Sequence, residues 1–278
     1  MPDRPARPKR QVHHARVRRV ERLTPHMIRV VLAGDGLAHF TAGTHTDHYI
    51  KMLFPAPGTA YPSPFDLDRI RAELPREQWP LTRTYTVRRW DPETGELTVD
   101  LVHHGDEGVA GPWAARARIG DEVFFSGPGG GYAPSADADW YLLAGDESAL
   151  PAIASCLESL PKGSAAHVFI EVSGPEEEQK LLTPADAEIT WLHRGEERVG
   201  QALVRAVSEF DFPAGSPEAF VHGEAGFVKE LRRLLRVEHR IPLDQLSISG
   251  YWRTGHDEDG WQSSKRDWNR SVEQEQEQ

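Results

Sequence analysis

The chain has 278 residues, of which 38% are hydrophobic and 27% are charged, a composition typical of a globular protein with a sizeable core. Its formal net charge of −11 argues against a nucleic-acid-binding surface. No apolar run approaches the roughly 18 residues that span a bilayer, and the first residues lack the apolar stretch of a signal peptide. The one cysteine, Cys156, excludes an internal disulfide and favours a cytoplasmic location.

Charge is unevenly distributed along the chain. Residues 1–20 contain seven lysines and arginines against one acid, so the rest of the chain, at −17, is more acidic than the total of −11. Residues 1–11 are therefore predicted to form a basic arm, either solvated or binding an anion.

Residues 12–130 are predicted to form an all-β domain. Short alternating or β-branched runs are separated by turn-forming residues. The predicted strands are Val12–Val20, Met27–Leu32, Tyr49–Phe54, Arg83–Trp90, Glu96–Val102 and Glu122–Phe125. Six antiparallel strands with one brief helix, Gly111–Ala117, predict a Greek-key barrel. The Pro- and Ser-rich stretch Tyr61–Asp68 is predicted to be a surface loop.

Residues 131–250 alternate between strand and helix patterns, which predicts βαβ units and a Rossmann-like, mostly parallel sheet. The predicted elements are strands Trp140–Ala144, His167–Val172, Ile189–Leu192, Ala219–Val221 and Leu246–Ser249, and helices Ala149–Leu160, Gln201–Phe210 and Phe227–Val237. Residues 251–278 are predicted to form a lid segment with a disordered Glu/Gln tail, Val272–Gln278. Ligands of such folds bind at domain interfaces and beyond the carboxyl ends of the strands.

Two segments of the barrel domain carry residues suited to a phosphate-bearing planar cofactor. In Arg83–Thr86, alternation places Arg83 and Tyr85 on one face of a strand, where a guanidinium can bind a diphosphate and a ring can cover a planar group. In the second segment, a strand ending in Asp100–Gly105 leads through Gly108 to a helix at Pro112, whose start can bind phosphate. Each segment alone also fits an ordinary strand or an ordinary loop–helix joint.

Two further segments lie in the second half of the chain. Trp140–Pro151 occupies the place of a nucleotide phosphate loop. There Asp146, Glu147 and Ser148 are predicted to put a cap and two carboxylates at a helix start, and the carboxylates would repel a pyrophosphate and instead accept hydrogen bonds from a ribose or an adenine amine. Ser249–Gly255 combines adjacent aromatic residues with an arginine, which suits a lid over a planar ring or a C-terminal anchor.

Taken together, these four segments resemble the siderophore-interacting protein family, within the ferredoxin–NADP reductase superfamily. The resemblance extends from about Val12 to Trp268 and rests most on the GDESALPAI and GYWRTG stretches. It implies FAD bound between the two domains. The cofactor-binding residues it implies are Arg83, Thr84, Tyr85, Thr86, Asp100, Val102, His104, Ala110, Gly111, Trp113, Asp146, Ser148, Tyr251 and Trp252.

The family reduces Fe(III) in a siderophore to Fe(II), and the resemblance implies the same activity here. It places a substrate-side lysine at Lys51 and a basic residue at Arg253. No acid–base residue is expected at the centre of the reaction, because electrons rather than protons go to the metal. The expected form is a monomer without a resident metal and without stable membrane insertion.

The electron donor and two rival functions stay open from the sequence. The expected donor is NAD(P)H, but pyridine-nucleotide-dependent relatives carry a cysteine where Val221–Glu224 stands here, so reduced ferredoxin is the alternative. A carrier protein that binds siderophore without a flavin is one rival. A metal-dependent hydrolase using the pairs His45/His48 and His103/His104 is another, although the spacing of a metal-binding motif is missing.

Overall fold

The computed structural model describes residues 11–276. The predicted basic arm, residues 1–11, therefore lies outside the described residues except for Gln11. Residues 12–129 contain six strands: β1 (Val12–Thr24), β2 (Met27–Ala33), β3 (Tyr49–Phe54), β4 (Leu81–Asp91), β5 (Glu96–Val102) and β6 (Glu122–Gly129). They form a closed antiparallel barrel in the order β1-β2-β5-β4-β3-β6, which confirms the predicted six-stranded antiparallel barrel.

The barrel closes because its strands alternate between core and surface positions. In β3, Ile50 and Met52 are fully buried in the barrel core, whereas Lys51 between them is half-buried on the outer face. Two helices interrupt the strands, α1 (Leu67–Glu73) and α2 (Ala110–Arg116). The second of these confirms the predicted brief helix.

Helix α1 begins inside the stretch predicted to be a loop, so that prediction was wrong at its end. Asp66 accepts a hydrogen bond from the backbone N of Arg69 at 3.0 Å and caps the helix. Ile70 is buried, and Arg69 pairs with Glu73 one turn later at 2.9 Å. The preceding Pro and Ser residues conceal this short helix in the sequence.

The remaining strands form a five-stranded parallel sheet in the order β11-β10-β7-β8-β9. Its elements are β7 (Trp140–Gly145), α3 (Leu150–Ser159), β8 (Ala165–Val172), β9 (Asp186–His193), α4 (Gln201–Ser208), β10 (Pro217–Glu224), α5 (Ala225–Arg233) and β11 (Leu246–Trp252). Strand β7 is buried along its whole length, as expected for a central parallel strand. This sheet confirms the predicted Rossmann-like, parallel α/β fold.

The chain beyond β11 forms helix α6 (Glu258–Gln276), so the prediction of a disordered tail was wrong over Val272–Gln276. Val272 is only 3% exposed. The carboxylate of Glu275 accepts a hydrogen bond from Lys229 at 2.5 Å, and the amide of Gln276 donates to the Lys229 backbone carbonyl at 3.0 Å. Helix α5 thus supplies partners that the Glu/Gln composition does not reveal.

The two domains are joined by direct hydrogen bonds as well as by the glycine-rich seam Ser126–Gly131. Glu177, which follows β8 and is 3% exposed, accepts hydrogen bonds from the Thr24 hydroxyl at 2.5 Å and from the His26 ring at 2.7 Å. At the seam itself, the Asp47 carboxylate accepts from the backbone N of Gly131 and of Tyr132 at 2.8 and 2.9 Å. These contacts fix the barrel against the sheet.

Candidate functional site

The segment Arg83–Thr86 lies on β4, and its pairing with β3 confirms the predicted division into two faces. Tyr85 lies opposite Ile50, on the side of the barrel core, and Thr84 lies opposite Lys51, on the outer side. The Lys51 ammonium donates to the Thr84 hydroxyl across the pair at 3.2 Å. Burial raises the pKa of Tyr85 far above its ordinary value, so its hydroxyl stays protonated.

The other edge of β4 is open along this segment. Among the described residues, β4 pairs with β5 only from Val87 onward. Next to this open edge, the Arg83 guanidinium is 15% exposed, donates to the Thr82 carbonyl at 2.7 Å and lies 3.5 Å from the exposed carboxylate of Asp259. A half-buried guanidinium with such loose pairing can bind a diphosphate.

The β5–α2 connection has the backbone that the sequence predicted. Gly105 and Gly108 have φ values of +60° and +75°, and a Cβ at either would meet no atom within 4 Å. Helix α2 starts at Ala110 without a side-chain cap. Gly111 packs so closely on β5 that a Cβ would come within 2.9 Å of the Val102 carbonyl oxygen. Open glycines, an uncapped helix start and Arg83 fit a phosphate-bearing cofactor such as FAD.

Two of the candidate cofactor-binding residues, Trp113 and His104, lie near this connection, and each has an aromatic ring of the protein beside it. Trp113 packs edge-on against Phe54 at 5.6 Å, at the end of β3. His104 lies 6.0 Å from the His26 ring, towards the second domain, and burial lowers its pKa. Their contacts with a cofactor remain predictions.

Asp100 is engaged elsewhere through its side chain. Its carboxylate accepts two hydrogen bonds of 2.7 Å from Arg29 and lies 4.0 Å from Arg88. The side chain is only 3% exposed. Since both oxygens are used by Arg29, the predicted contact of Asp100 with the cofactor is left to its backbone.

Asp146 is the most heavily bonded residue of the β7–α3 turn. One carboxylate oxygen accepts from the backbone N and hydroxyl of Ser148, at 2.9 and 2.5 Å. The other accepts from the backbone N of Glu224 at 2.9 Å and from the Trp252 indole at 2.8 Å. Burial, with Glu147 nearby, raises the pKa of Asp146 to about 6.

The start of helix α3 corrects the prediction that a side chain of this turn caps it. The helix begins at Leu150 with Ala149 as its N-cap, and no side chain caps it. Glu147, the other carboxylate of the turn, pairs with Arg194 at 2.7 Å. The turn is therefore held by contacts within the protein, and direct binding of a ribose or adenine by Asp146 and Ser148 remains a prediction.

The aromatic pair Tyr251 and Trp252 ends β11 beside Asp146. The Tyr251 ring lies 4.9 Å from the ring of His222, within the segment Val221–Glu224. His222 is 3% exposed, its Nε2 bonds the Ser247 hydroxyl at 2.9 Å, and burial lowers its pKa to about 3. The His222 imidazole is therefore neutral at physiological pH. Arg253, next along the chain, is half-buried.

Sequence reasoning missed helix α6 as a contributor to the site. The carboxylate of Glu258 accepts from the backbone N of Thr84 at 3.0 Å and from its hydroxyl at 2.6 Å. Lys265, two turns later, donates to the Ser249 hydroxyl at 2.9 Å. Their spacing of seven residues, which places both on one helix face, was the available signal, but the polar composition hid the helix.

Two surveys of the described residues complete the description. Between residues 11 and 276, no helix is long and apolar enough to cross a membrane. In the same range, no group of three or more His, Cys, Asp or Glu side chains could hold a metal ion. His45 and His48, one of the histidine pairs considered from the sequence, have ring centroids 5.5 Å apart.

Both halves of the chain match known protein families. Residues 16–132 match the siderophore-interacting FAD-binding domain, and residues 138–255 match the siderophore-interacting protein family. The chain is 43% identical to an uncharacterised protein of Mycobacterium tuberculosis, over 93% of this chain and 96% of that protein. Its structure resembles that of a siderophore utilization protein from T. fusca, with a TM-score of 0.77 and 37% identity over 89% of this chain and 94% of the other.

Two further relatives have functional names. The chain is 33% identical to the ferric vibriobactin reductase ViuB of Vibrio cholerae, over 87% of this chain and 90% of that protein. It is 31% identical to the NADPH-dependent ferric-chelate reductase of Escherichia coli, over 85% of this chain and 91% of that protein.

Proposed function

Because the chain belongs to the siderophore-interacting protein family, we propose that it is an FAD-dependent reductase of ferric siderophores that releases their iron as Fe(II). Its cofactor is FAD, as the FAD-binding domain over residues 16–132 indicates. Reduction favours release because the anionic oxygen ligands of a siderophore attract Fe(II) less strongly than Fe(III).

One observation carries the proposal. Strand β4, which holds the candidate cofactor-binding residues Arg83–Thr86, lies beside basic and aromatic side chains of other elements. Thr84 of β4 bonds Lys51, and Thr86 lies opposite Tyr49, which in turn lies near Tyr251 of the second domain. An anionic ferric chelate can approach this junction because the ammonium of Lys51 faces it. The same junction carries the segment that would hold the flavin.

Each cofactor residue has a proposed role in this assignment. Arg83 would bind the diphosphate, with the open glycine loop and the start of α2 binding its oxygens. Tyr85 would pack against the ring system, and Thr86 would donate to it. Bound FAD would supply the conversion between a two-electron donor and one-electron reduction of the ferric ion.

We assign NAD(P)H as the electron donor, supported by the name of the Escherichia coli relative. Reduced ferredoxin is the second candidate, because the β7–α3 turn is closed by internal bonds of Asp146 and by Glu147. A pyrophosphate at this turn would face both carboxylates.

The test is to purify the protein and measure its flavin absorbance, then mix it anaerobically with NADH, NADPH or reduced ferredoxin in parallel. We expect a yellow protein that is bleached most rapidly by a pyridine nucleotide, and capture of Fe(II) by a chromogenic chelator after a ferric siderophore is added. A ferredoxin that alone bleaches the flavin would replace NAD(P)H as donor.

Arg83→Ala provides the site-specific test of cofactor binding, and Arg89→Ala, on the exposed part of the same strand, is its control. We expect the first variant to purify largely without flavin and the second to keep it. A colourless wild-type protein that binds ferric siderophore and cannot be reconstituted with FAD would instead be a carrier.

A further inference from the structure

Three charged side chains meet where the barrel, the sheet and helix α6 join. Lys51 comes from β3, while Glu258 and Lys265 come from α6. All three are half-buried, so they keep some contact with solvent. We call Lys51, Lys265 and Glu258 the junction cluster.

Hydroxyl groups of two strands hold the junction cluster in place. The Thr84 hydroxyl accepts from Lys51 at 3.2 Å and donates to Glu258 at 2.6 Å. The Ser249 hydroxyl accepts from Lys265 at 2.9 Å. Lys51 and Glu258 therefore share one bridging hydroxyl, which keeps the carboxylate within about 6 Å of the ammonium by the sum of two hydrogen bonds.

The charges of the cluster do not cancel. Burial lowers the pKa of Lys265, and the nearby ammonium of Lys51 lowers it further, while Glu258 opposes this shift. The cluster nevertheless sets two basic side chains against one acidic side chain. With all three groups ionised it carries a net charge of +1; without Glu258 the charge would be +2.

We propose that Glu258 is a specificity-determining residue that limits how strongly the site attracts highly anionic ferric chelates. The proposal rests on the proposed function, in which Lys51 faces the chelate. Glu258 repels a chelate in proportion to the chelate's negative charge, whereas the two ammonium groups attract it. Glu258 thus reduces, without reversing, the preference of the site for triply negative chelates over neutral ones.

The size of the effect follows from Coulomb's law. One carboxylate roughly 8 Å from a triply charged complex, in a partly solvated site at physiological salt, should change its affinity by about three- to tenfold. The same carboxylate has almost no effect on a neutral complex, since the interaction scales with the chelate charge. A charge mechanism therefore predicts a difference between chelates, while a general change of shape does not.

The test compares Glu258→Gln with wild type in the FAD-loaded protein. The probes are gallium(III) complexes, which mimic ferric complexes but are not reduced, of a tris-catecholate with three negative charges and of a neutral tris-hydroxamate. We expect about fivefold tighter binding of the tris-catecholate, less than twofold change for the tris-hydroxamate, and unchanged flavin content. Titration calorimetry measures both affinities without relying on turnover.

Two further variants keep the result interpretable. Glu273→Gln removes an exposed carboxylate four turns further along α6, about 22 Å away, and should change neither affinity. Lys265→Met should weaken tris-catecholate binding selectively, the opposite sign to Glu258→Gln. Equal shifts for both complexes, or none, would overturn the inference alone. Binding of neither complex by the wild type would overturn the proposed function and this inference with it.

Discussion

At the scale of single residues, Asp146 links the stability of the fold to pH. Its pKa of about 6 lies above the ordinary value of 3.8, because burial disfavours the ionised form. Between those pH values the folded protein keeps a proton that the unfolded chain has lost, so the unfolding free energy falls as pH rises. The shift corresponds to about 3 kcal/mol across this window.

We therefore expect the stability advantage of wild type over Asp146→Asn to shrink as pH rises from 4 to 7. The variant loses this titration, but it also loses an acceptor for Trp252 and Glu224, so it is the less stable protein at low pH. Urea unfolding at several pH values measures the difference. Asp186→Asn, a change at an exposed position on β9, should show the same dependence of unfolding free energy on pH as wild type. A stability difference between wild type and Asp146→Asn that does not change with pH would contradict the raised pKa of Asp146.

Lys51→Ala separates substrate binding from cofactor binding. We expect a raised KM for an anionic ferric siderophore with unchanged flavin content, because the Lys51 side chain lies on the face of the β3–β4 pair opposite to Arg83. Steady-state kinetics together with the flavin-to-protein absorbance ratio measures both quantities. Loss of flavin in this variant would move Lys51 from the substrate side to the cofactor side.

Some features of the candidate site could be predicted from the sequence, and others could not. The two faces of Arg83–Thr86 follow from strand alternation alone, and the structure has them. The partners of Asp146 come from β10 and β11, about 80 and 106 residues along the chain, and no local pattern encodes such distances. The internal hydrogen bonds of this carboxylate therefore could not be predicted from the sequence.

At the scale of elements, helix α6 depends on one buried aromatic residue. Trp261 is 1% exposed, and its indole donates to the Gly250 carbonyl at 3.3 Å. A Cβ at Gly250 would lie 3.0 Å from the Trp261 ring, so the strand approaches the helix closely. Only Trp261 and Val272 are buried within α6. Two buried residues are too few to produce a helical pattern of hydrophobic residues, which explains why α6 was not predicted from the sequence.

Trp261→Ala should lower the unfolding free energy by about 3–5 kcal/mol, the usual range for removing a buried tryptophan side chain. Trp268→Ala, a half-buried position whose ring lies 5.3 Å from that of Trp261, should cost clearly less. Thermal and chemical unfolding of both variants makes the comparison. Equal losses of unfolding free energy in the two variants would mean that α6 is held mainly by its outer turns.

At the scale of the whole molecule, Glu177 governs how the two domains are held together. Its carboxylate accepts from Thr24 and from both the backbone and the ring of His26, all on the barrel. Removing it leaves these buried or half-buried donors without their partner, at a cost of about 1–3 kcal/mol each when buried.

Glu177→Ala should therefore loosen the domain contact before it unfolds either domain. We expect faster proteolysis in the segment 130–139 and a separate early transition in calorimetry. Glu178→Ala, which removes the half-exposed partner of His193, is the matched control and should leave both unchanged. A single transition at the wild-type temperature would show that apolar packing alone holds the domains.

The architecture was more accessible to prediction than the contacts between its parts. Barrel strands and sheet strands follow from local alternation and from buried runs such as β7, so most were located within a few residues. The Thr24–Glu177 contact joins residues 153 positions apart and carries no periodic signal. The positions of the strands were thus predictable from the sequence, whereas the polar contacts that hold the parts of the fold together were not.

The order of the strands has a consequence for synthesis on the ribosome. The barrel is complete once β6 has emerged, because β6 pairs with both β1 and β3. Strand β11, which carries Tyr251, and helix α6, which carries Glu258 and Lys265, emerge more than a hundred residues later. A nascent chain can therefore fold its barrel, including Lys51, while the residues that β11 and α6 contribute to the junction are still untranslated.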